Sequence, residues 1–186
     1  MKIVITGGPG GGKTTALDLF RRELLGEVAV IPESATAVFS GGIQRDSRPK
    51  VVKAIQKMIY YHQKNIESIY KSQNNFDLFL CDRGTLDGLA YWPEDEESFL
   101  KEMKTTLEIE MAKYDAVIFF ETGAICGQDI TSNNPYRTES SDKAIELDKK
   151  LKAIWKRHPN YHVVRSKGSF VEKIMDGIDL IKKVVN

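Results

Sequence analysis

The sequence predicts an α/β domain, a three-layer sandwich in which five parallel strands carry helices on both faces. Two observations lead there: short apolar runs alternate with longer stretches of helical periodicity, and the first apolar run opens directly into a glycine-rich loop. Strands covered on both faces read as continuous apolar runs, and parallel neighbours need helical crossovers between them. Right-handed crossovers then bring all the strand C-terminal ends to one edge, the edge where ligands bind.

Val4 and Ile5 belong to the first strand, and residues 13–25 to a helix with Ala16, Leu17, Phe20 and Leu24 on one side. A second strand through Val28, Val30 and Ile31 stops at Pro32. Residues 33–48, rich in Gly and Ser, are expected as a loop or short helix near the site. Ser47 is placed as an N-cap, with Pro49 in the first turn of a helix over 50–72 marked by Val52, Ile55, Ile59, Ile66 and Ile69. Leu78 to Cys81 form the third strand, ending at Asp82. One helix carrying Leu100, Met103, Leu107 and Met111 precedes the fourth, Ala116 to Phe120. A helix bearing Leu147, Leu151, Ile154 and Trp155 leads to the fifth strand, Tyr161 to Val164. The last helix opens at Ser169, where Glu172 completes a capping box, and its apolar face is Phe170, Ile174, Ile178, Ile181 and Val185. Residues 1–186 are expected as a single domain. The polar run 127–142, with Asn133-Asn134-Pro135, is expected as a lid.

Charge and composition narrow the function classes. Lys plus Arg number 27 against 26 Asp plus Glu, a formal charge of +1 that predicts no general attraction to nucleic acid or to anionic membrane. The opening apolar run, Ile3-Val4-Ile5, is too short for a signal-peptide core and is expected as a buried strand of a cytoplasmic protein. Cys81 and Cys126 sit in no paired or metal-ligand spacing, and His62, His158 and His162 show no zinc pattern.

The chemistry is concentrated in Gly7-Gly8-Pro9-Gly10-Gly11-Gly12-Lys13-Thr14, which fits GxxxxGK[ST] at every fixed position between a strand and a helix. Glycines let successive backbone N–H groups of such a loop face inward on an anion, and the helix N-terminus adds its dipole. The expected ligand is a purine nucleoside triphosphate with Mg²⁺, cradled by Gly8 to Gly12 and by Thr14 and Thr15. Lys13 would lie on the β- and γ-phosphates and the Thr14 hydroxyl on the metal. Asp82, closing an apolar strand, is expected as the metal-associated carboxylate, although a strand-terminal turn acid has the same signature. Arg165 and the loop to Gly168 are expected to hold the base. The guanine-reading Asn-Lys-x-Asp loop is missing from the sequence, which favours ATP, with GTP as the alternative.

A phosphotransferase also needs a carboxylate at the acceptor hydroxyl, cations at the transferring group and exclusion of water. Glu33, after the second strand, is the candidate for that hydroxyl, with a helix-start acid as its bland reading. Arg83 is the candidate to hold Glu33 ionised or to contact substrate, or simply to pair with Asp82 or Asp87. Arg137, in the polar run, is the candidate for the β/γ-phosphates or a solvated loop residue paired with Glu139. Gln63 offers an amide for a bidentate substrate contact, or a surface glutamine. Tyr91 and Trp92 offer a stacking platform, or an aromatic plug.

Taken in order, ITGGPGGGKTT at 5–15, VIPES at 30–34, FDLFLCDRGTLDGLAY at 76–91, YDAVIFFE at 114–121, YRTES at 136–140 and GSFVEKI at 168–174 give the chain its resemblance. It resembles the NadR-like AAA-type P-loop family, which includes the ribosylnicotinamide-kinase domain of the NadR regulator, and the likeness covers nearly the whole chain. The resemblance implies a kinase-type sheet in strand order 2-3-1-4-5, nucleotide binding, and transfer to a small nucleoside-like acceptor. Where relatives often carry Ala-Arg after Pro-Glu, this chain has Ser34-Ala35-Thr36-Ala37, leaving Arg45 and Arg48 as basic residues farther along. Some relatives bind GTP and partner proteins, so a regulatory NTPase or nucleotide-dependent protein-binding module is the second expectation.

Overall fold

Alternate residues of β1 (Lys2–Thr6) serve two different cores. Ile3 and Ile5 join Ala16, Leu17 and Phe20 of α1 (Lys13–Glu23) and Ile174, Ile178 and Ile181 of α7 (Phe170–Val185). Val4 points the other way, into a cluster with Tyr60 of α3 (Pro49–Gln73), Phe99 of α4 (Glu96–Met103), and Leu147, Leu151 and Trp155 of α6 (Ser141–Trp155). The period-two alternation of a strand thus produces the three layers. Each fully buried Ile or Phe in these clusters contributes roughly 1.5–3 kcal/mol. The computed structural model that shows this describes residues 1–24, 28–73, 76–127 and 140–185.

With β2 (Val28–Ile31), β3 (Leu78–Asp82), β4 (Ala116–Phe120) and β5 (Tyr161–Val164), the sheet runs β2-β3-β1-β4-β5. All four pairings are parallel, so the order is the one expected. The register sets Ile5 beside Asp82 on one side and Ile118 on the other, so the strand ends that bear Thr6, Asp82 and Phe120 reach one edge together. α7 packs close to β4 because Gly177 has no side chain: a Cβ there would lie 2.8 Å from Phe120 Cζ.

Several local expectations change. The helix expected before β4 is two helices, α4 and α5 (Leu107–Met111), separated by Lys104 in the left-handed region. Thr106 then accepts from the Ile109 N–H and starts the second helix afresh. Ser47 does not cap α3. Pro49 takes the first helical position, so the Arg48 carbonyl accepts the first helical bonds, while Asp46 Oδ1 accepts from the Arg48 N–H at 2.7 Å. α1 ends at Glu23, and Leu25 lies outside the described residues. The stretch after Pro32 holds a helix, α2 (Ser34–Ser40), and a 3₁₀ helix, Thr85–Tyr91, follows β3. At Ser169 the cap is made by its hydroxyl, which accepts from the Glu172 N–H at 3.2 Å. Most of the expected lid, residues 128–139, lies outside the described residues. Among the described residues no helix is long and apolar enough to cross a membrane.

Candidate active site

The loop between β1 and α1 is shaped by backbone that only glycine supplies at low cost. Gly7 has φ +132°, and a Cβ there would fall 1.9 Å from the Phe120 carbonyl oxygen of the neighbouring strand. Gly12 turns into α1 with φ +85°. Four successive loop carbonyls are engaged: Gly7 and Gly8 accept from Lys13 Nζ at 3.0 and 2.8 Å, Pro9 from the Thr122 hydroxyl, and Gly10 from the Gly123 N–H. The loop is therefore held by the end of β4 as well as by its own lysine. Thr14 and Thr15 are exposed on the first turn of α1.

Lys13 is 6% exposed. Burial, helped by the nearby charge of Arg83, lowers its ammonium to about 7. Asp82 is also 6% exposed, and burial together with the Glu33 charge pushes its carboxyl up to about 6. Thr14 Oγ1 donates to Asp82 Oδ2 at 3.4 Å. A hydroxyl and a carboxylate side by side are hard oxygen donors that suit Mg²⁺ bound mainly through phosphate and water. A buried ammonium resting on peptide carbonyls likewise suits a polyanion. The residues present fit a Mg²⁺–triphosphate.

Beside this loop lies a narrow open pocket, lined by residues 33–35 and by Ile59, Tyr60, Gln63, Arg83, Gly84, Thr85, Asp87 and Gly88. Arg83 takes a left-handed φ of 76° just after β3. From there Nε donates to Glu33 Oε1 at 2.5 Å, and Nη1 donates to Asp87 Oδ2 at 2.9 Å and to the Gly7 carbonyl at 3.3 Å. Burial pushes the Glu33 carboxyl up, but Arg83 and the Thr36 hydroxyl outweigh it and hold the group down at about 2. Burial works against the Arg83 cation too; Tyr91, Glu33 and Asp87 overcome it and raise its pKa. Arg83 thus pairs with Asp87 and with Glu33 at once.

Gln63 lies in the pocket wall, 2% exposed, with its amide turned inward. Nε2 donates to Glu67 Oε1 at 2.8 Å and to the Arg83 carbonyl at 3.3 Å, and Oε1 accepts from Ser34 Oγ at 2.6 Å. Both N–H groups are committed, so the bidentate contact expected of it requires this network to open. Tyr91 lies at the end of the 3₁₀ helix, packed against the core. Trp92 is the plug, 6% exposed and edge-on to Phe99. Arg165 is exposed just after β5, and the next residue is fixed: Ser166 Oγ donates to the Thr122 carbonyl at 3.1 Å. Arg137 lies outside the described residues. Glu33, Asp82, Arg83, Lys13 and Thr14 come together; Arg165 stands apart beyond β5.

A family model for an AAA domain matches residues 2–173. The chain belongs to that family. Two solved structures of deoxyadenosine kinase from M. mycoides share its fold. One, with bound dATP, superimposes with a TM-score of 0.65 at 14% identity over 98% of this chain and 100% of that one. The other, with products dCMP and a flexible dCDP, gives 0.66 at 16% identity over 98% and 97%. At such identities the likeness is one of fold. No curated protein matches the chain.

This AAA domain builds its network on three further acids: Asp87, which lies in the 76–91 run and was already a partner expected of Arg83, and Asp148 and Glu67, which the motifs did not mark. Asp87 collects the Thr6 hydroxyl at 2.7 Å and Trp155 Nε1 at 2.7 Å in addition to Arg83. Asp148 Oδ1 accepts the Gly8 N–H at 3.0 Å and the Thr122 N–H at 2.8 Å, and burial raises its pKa. Glu67, behind Gln63, also takes Lys2 Nζ at 2.7 Å and the Tyr114 hydroxyl at 2.9 Å. Asp148 was detectable in principle, as an acid at the helical phase of Ala144, Leu147, Leu151 and Ile154. Glu67 sits on the polar-looking side of a long helix and gives no such signal.

Proposed function

We propose that the chain is a Mg²⁺-dependent phosphotransferase that moves the γ-phosphoryl group of ATP to a hydroxyl of a small, unphosphorylated, nucleoside-like metabolite. The observation that carries this reading is the Glu33 carboxylate, held ionised by Arg83 in a pocket that opens beside the phosphate loop. A regulatory NTPase has no need for a carboxylate-bearing pocket at that place.

When bound, Mg²⁺–ATP supplies the phosphoryl group and a divalent counter-charge. Lys13 would turn its ammonium from the Gly7 and Gly8 carbonyls to the phosphates, and Thr14 with Asp82 would hold the metal. Glu33, at about 2, is a weak base and a strong hydrogen-bond acceptor. It would therefore orient the acceptor hydroxyl and take its proton late, which suits a loose phosphoryl-transfer transition state. Tyr60 and Ile59 give the pocket wall apolar surface for a flat or ribose-sized group.

The charge balance favours an acceptor without phosphate. Arg83 is the one cationic residue in the described lining, and it is already bonded to Glu33, Asp87 and the Gly7 carbonyl. Glu33 and Asp87 outnumber it, so a phosphate monoester would meet net negative charge. The resemblance to ribosylnicotinamide kinase points the same way, toward ribosides.

The test is a screen of nucleosides, nucleoside monophosphates and vitamin-like ribosides with γ-labelled ATP, repeated with Glu33→Gln. Transfer to a riboside that falls at least about 10²-fold in the variant is expected. Transfer unchanged by the substitution would reject the role of Glu33. Intact nucleotide binding with no transfer across the screen would favour a regulatory NTPase or nucleotide-dependent binding module instead.

A further inference from the structure

The apolar stripe of α6 runs Ala144, Leu147, Leu151, Ile154 and Trp155, and one charged residue lies within it. Asp148 is 2% exposed, and a single oxygen, Oδ1, takes two backbone N–H groups from different parts of the sheet edge. One is Gly8 of the phosphate loop; the other is Thr122, just past β4. A carboxylate without such partners would be costly at this depth, so the two bonds account for its being there.

Their effect reaches Lys13. Gly8 is gripped on both sides: its N–H by Asp148 at 3.0 Å, its C=O by the Lys13 ammonium at 2.8 Å. Thr122, oriented by the same carboxylate, passes its hydroxyl to the Pro9 carbonyl. Asp148 therefore fixes two successive residues of the loop, one directly and one through Thr122. The fit is tight: a Cβ on Gly8 would lie 2.6 Å from Asp148 Oδ1.

We infer that Asp148 is a positioning residue for triphosphate binding, bracing the phosphate loop from α6 so that the Gly8 and Pro9 peptides present Lys13 and the loop amides to the nucleotide. The inference rests on the phosphate-loop reading and is independent of the identity of the acceptor.

The experiment compares Asp148→Ala and Asp148→Asn with the wild-type chain by calorimetric titration with Mg²⁺–ATP and with Mg²⁺–tripolyphosphate, alongside the amide signals of Gly8 and Thr122 in nitrogen-15 spectra. Asn keeps an oxygen for both N–H groups. It should bind within about threefold of wild type, while Ala weakens both ligands by roughly 10- to 100-fold, the range expected for losing bonds to a charged acceptor. Gly8 and Thr122 amides should be slow to exchange in wild type and in the Asn variant and fast in the Ala variant. A folded Ala variant that binds both ligands like wild type would overturn the role. So would an Asn variant that loses as much as Ala, because charge and not bracing would then be at work. Should the Ala variant fail to fold, the Asn titration and the wild-type Gly8 exchange decide: fast exchange in wild type overturns the inference. A wild-type chain that binds neither ligand overturns the phosphate-loop reading itself, and this role with it.

Discussion

Arg83 Nε donates to Glu33 Oε1 at 2.5 Å, joining the residue after β3 to the second residue past β2 across the mouth of the pocket. Arg83 reaches it from a left-handed backbone, φ 76°, which costs about 1–2 kcal/mol for a residue with a side chain. The same guanidinium also bonds Asp87 and the Gly7 carbonyl, so one planar fork ties the second strand end, the 3₁₀ helix and the phosphate loop together.

That geometry predicts that Arg83→Lys is not a conservative change. An ammonium cannot address Glu33, Asp87 and Gly7 from one plane, so stability should fall by about 2–4 kcal/mol. Glu33 then rises from about 2, and an acid limb should enter the pH profile of transfer. In the wild type the sign is that of a depressed carboxyl. The stabilisation is fully present above the ordinary 4.5 and is lost as pH falls from there through about 2. Urea midpoints followed down that window should drop in wild type and stay nearly flat, relative to it, in Glu33→Gln. Parallel curves for the two proteins would refute the assignment.

Lys13→Met should separate binding from stability. Losing a charged contact of about 2–4 kcal/mol weakens Mg²⁺–ATP binding roughly 30- to 1000-fold. The unliganded protein should be no less stable, because the buried ammonium is already penalised enough to be lowered to about 7. Calorimetry and thermal unfolding on the same samples check both halves; a variant that binds as wild type does would remove Lys13 from the phosphates.

The five parallel strands and the phosphate loop were legible in the sequence because both rest on local rules: continuous apolar runs, helical periodicity, and glycines at fixed offsets before Lys13 and Thr14; the strand order came from the family resemblance, since no local pattern says which strands are neighbours. The approach of Glu33 to Arg83 was half legible, since each follows a strand and a parallel sheet delivers strand ends to one edge. What no spacing encodes is how donors and acceptors pair once there. Gln63 carries an amide suited to a ligand, yet Glu67, four residues on, takes one of its N–H groups. The break at Lys104 was hidden for another reason: Leu100, Met103, Leu107 and Met111 keep helical spacing across it, while the Thr105-Thr106 pair that restarts the helix reads as ordinary polar residues.

Asp82→Asn tests the metal role. A buried carboxylate raised to about 6 by burial and by Glu33 is a liability without a cation, so the variant should unfold later than wild type in the absence of divalent ions, by about 1–3 kcal/mol. Adding Mg²⁺–ATP should reverse the order, since the variant gains less from the ligand. Equal gains in the two proteins would leave Asp82 a structural residue.

Lys173 provides the last prediction. It is 2% exposed on α7, where its ammonium donates to the Glu121 carbonyl and to Ser166 Oγ at 3.0 Å, stapling the loop after β5 to the end of β4. Burial lowers its pKa from 10.5 to about 8. For a base shifted this way the unfolded chain binds more protons than the folded one between about 8 and 10.5, so stability rises with pH across that window and is flat below it. The rise amounts to about 3 kcal/mol, from the width of the window at roughly 1.4 kcal/mol per unit. Lys173→Met has no such group, and subtracting its urea midpoints from those of wild type cancels the other lysines. The difference should grow in favour of wild type above about 8; a difference that stays constant refutes the buried-ammonium reading. The same substitution removes one of the bonds that hold Ser166, leaving those to Glu121 and Thr122, and so loosens the exposed Arg165 beside it. If that loop holds the base, Mg²⁺–ATP affinity should fall several-fold while Mg²⁺–tripolyphosphate, which has no base, binds as before. Equal losses for both ligands would move Arg165 and its loop out of base recognition.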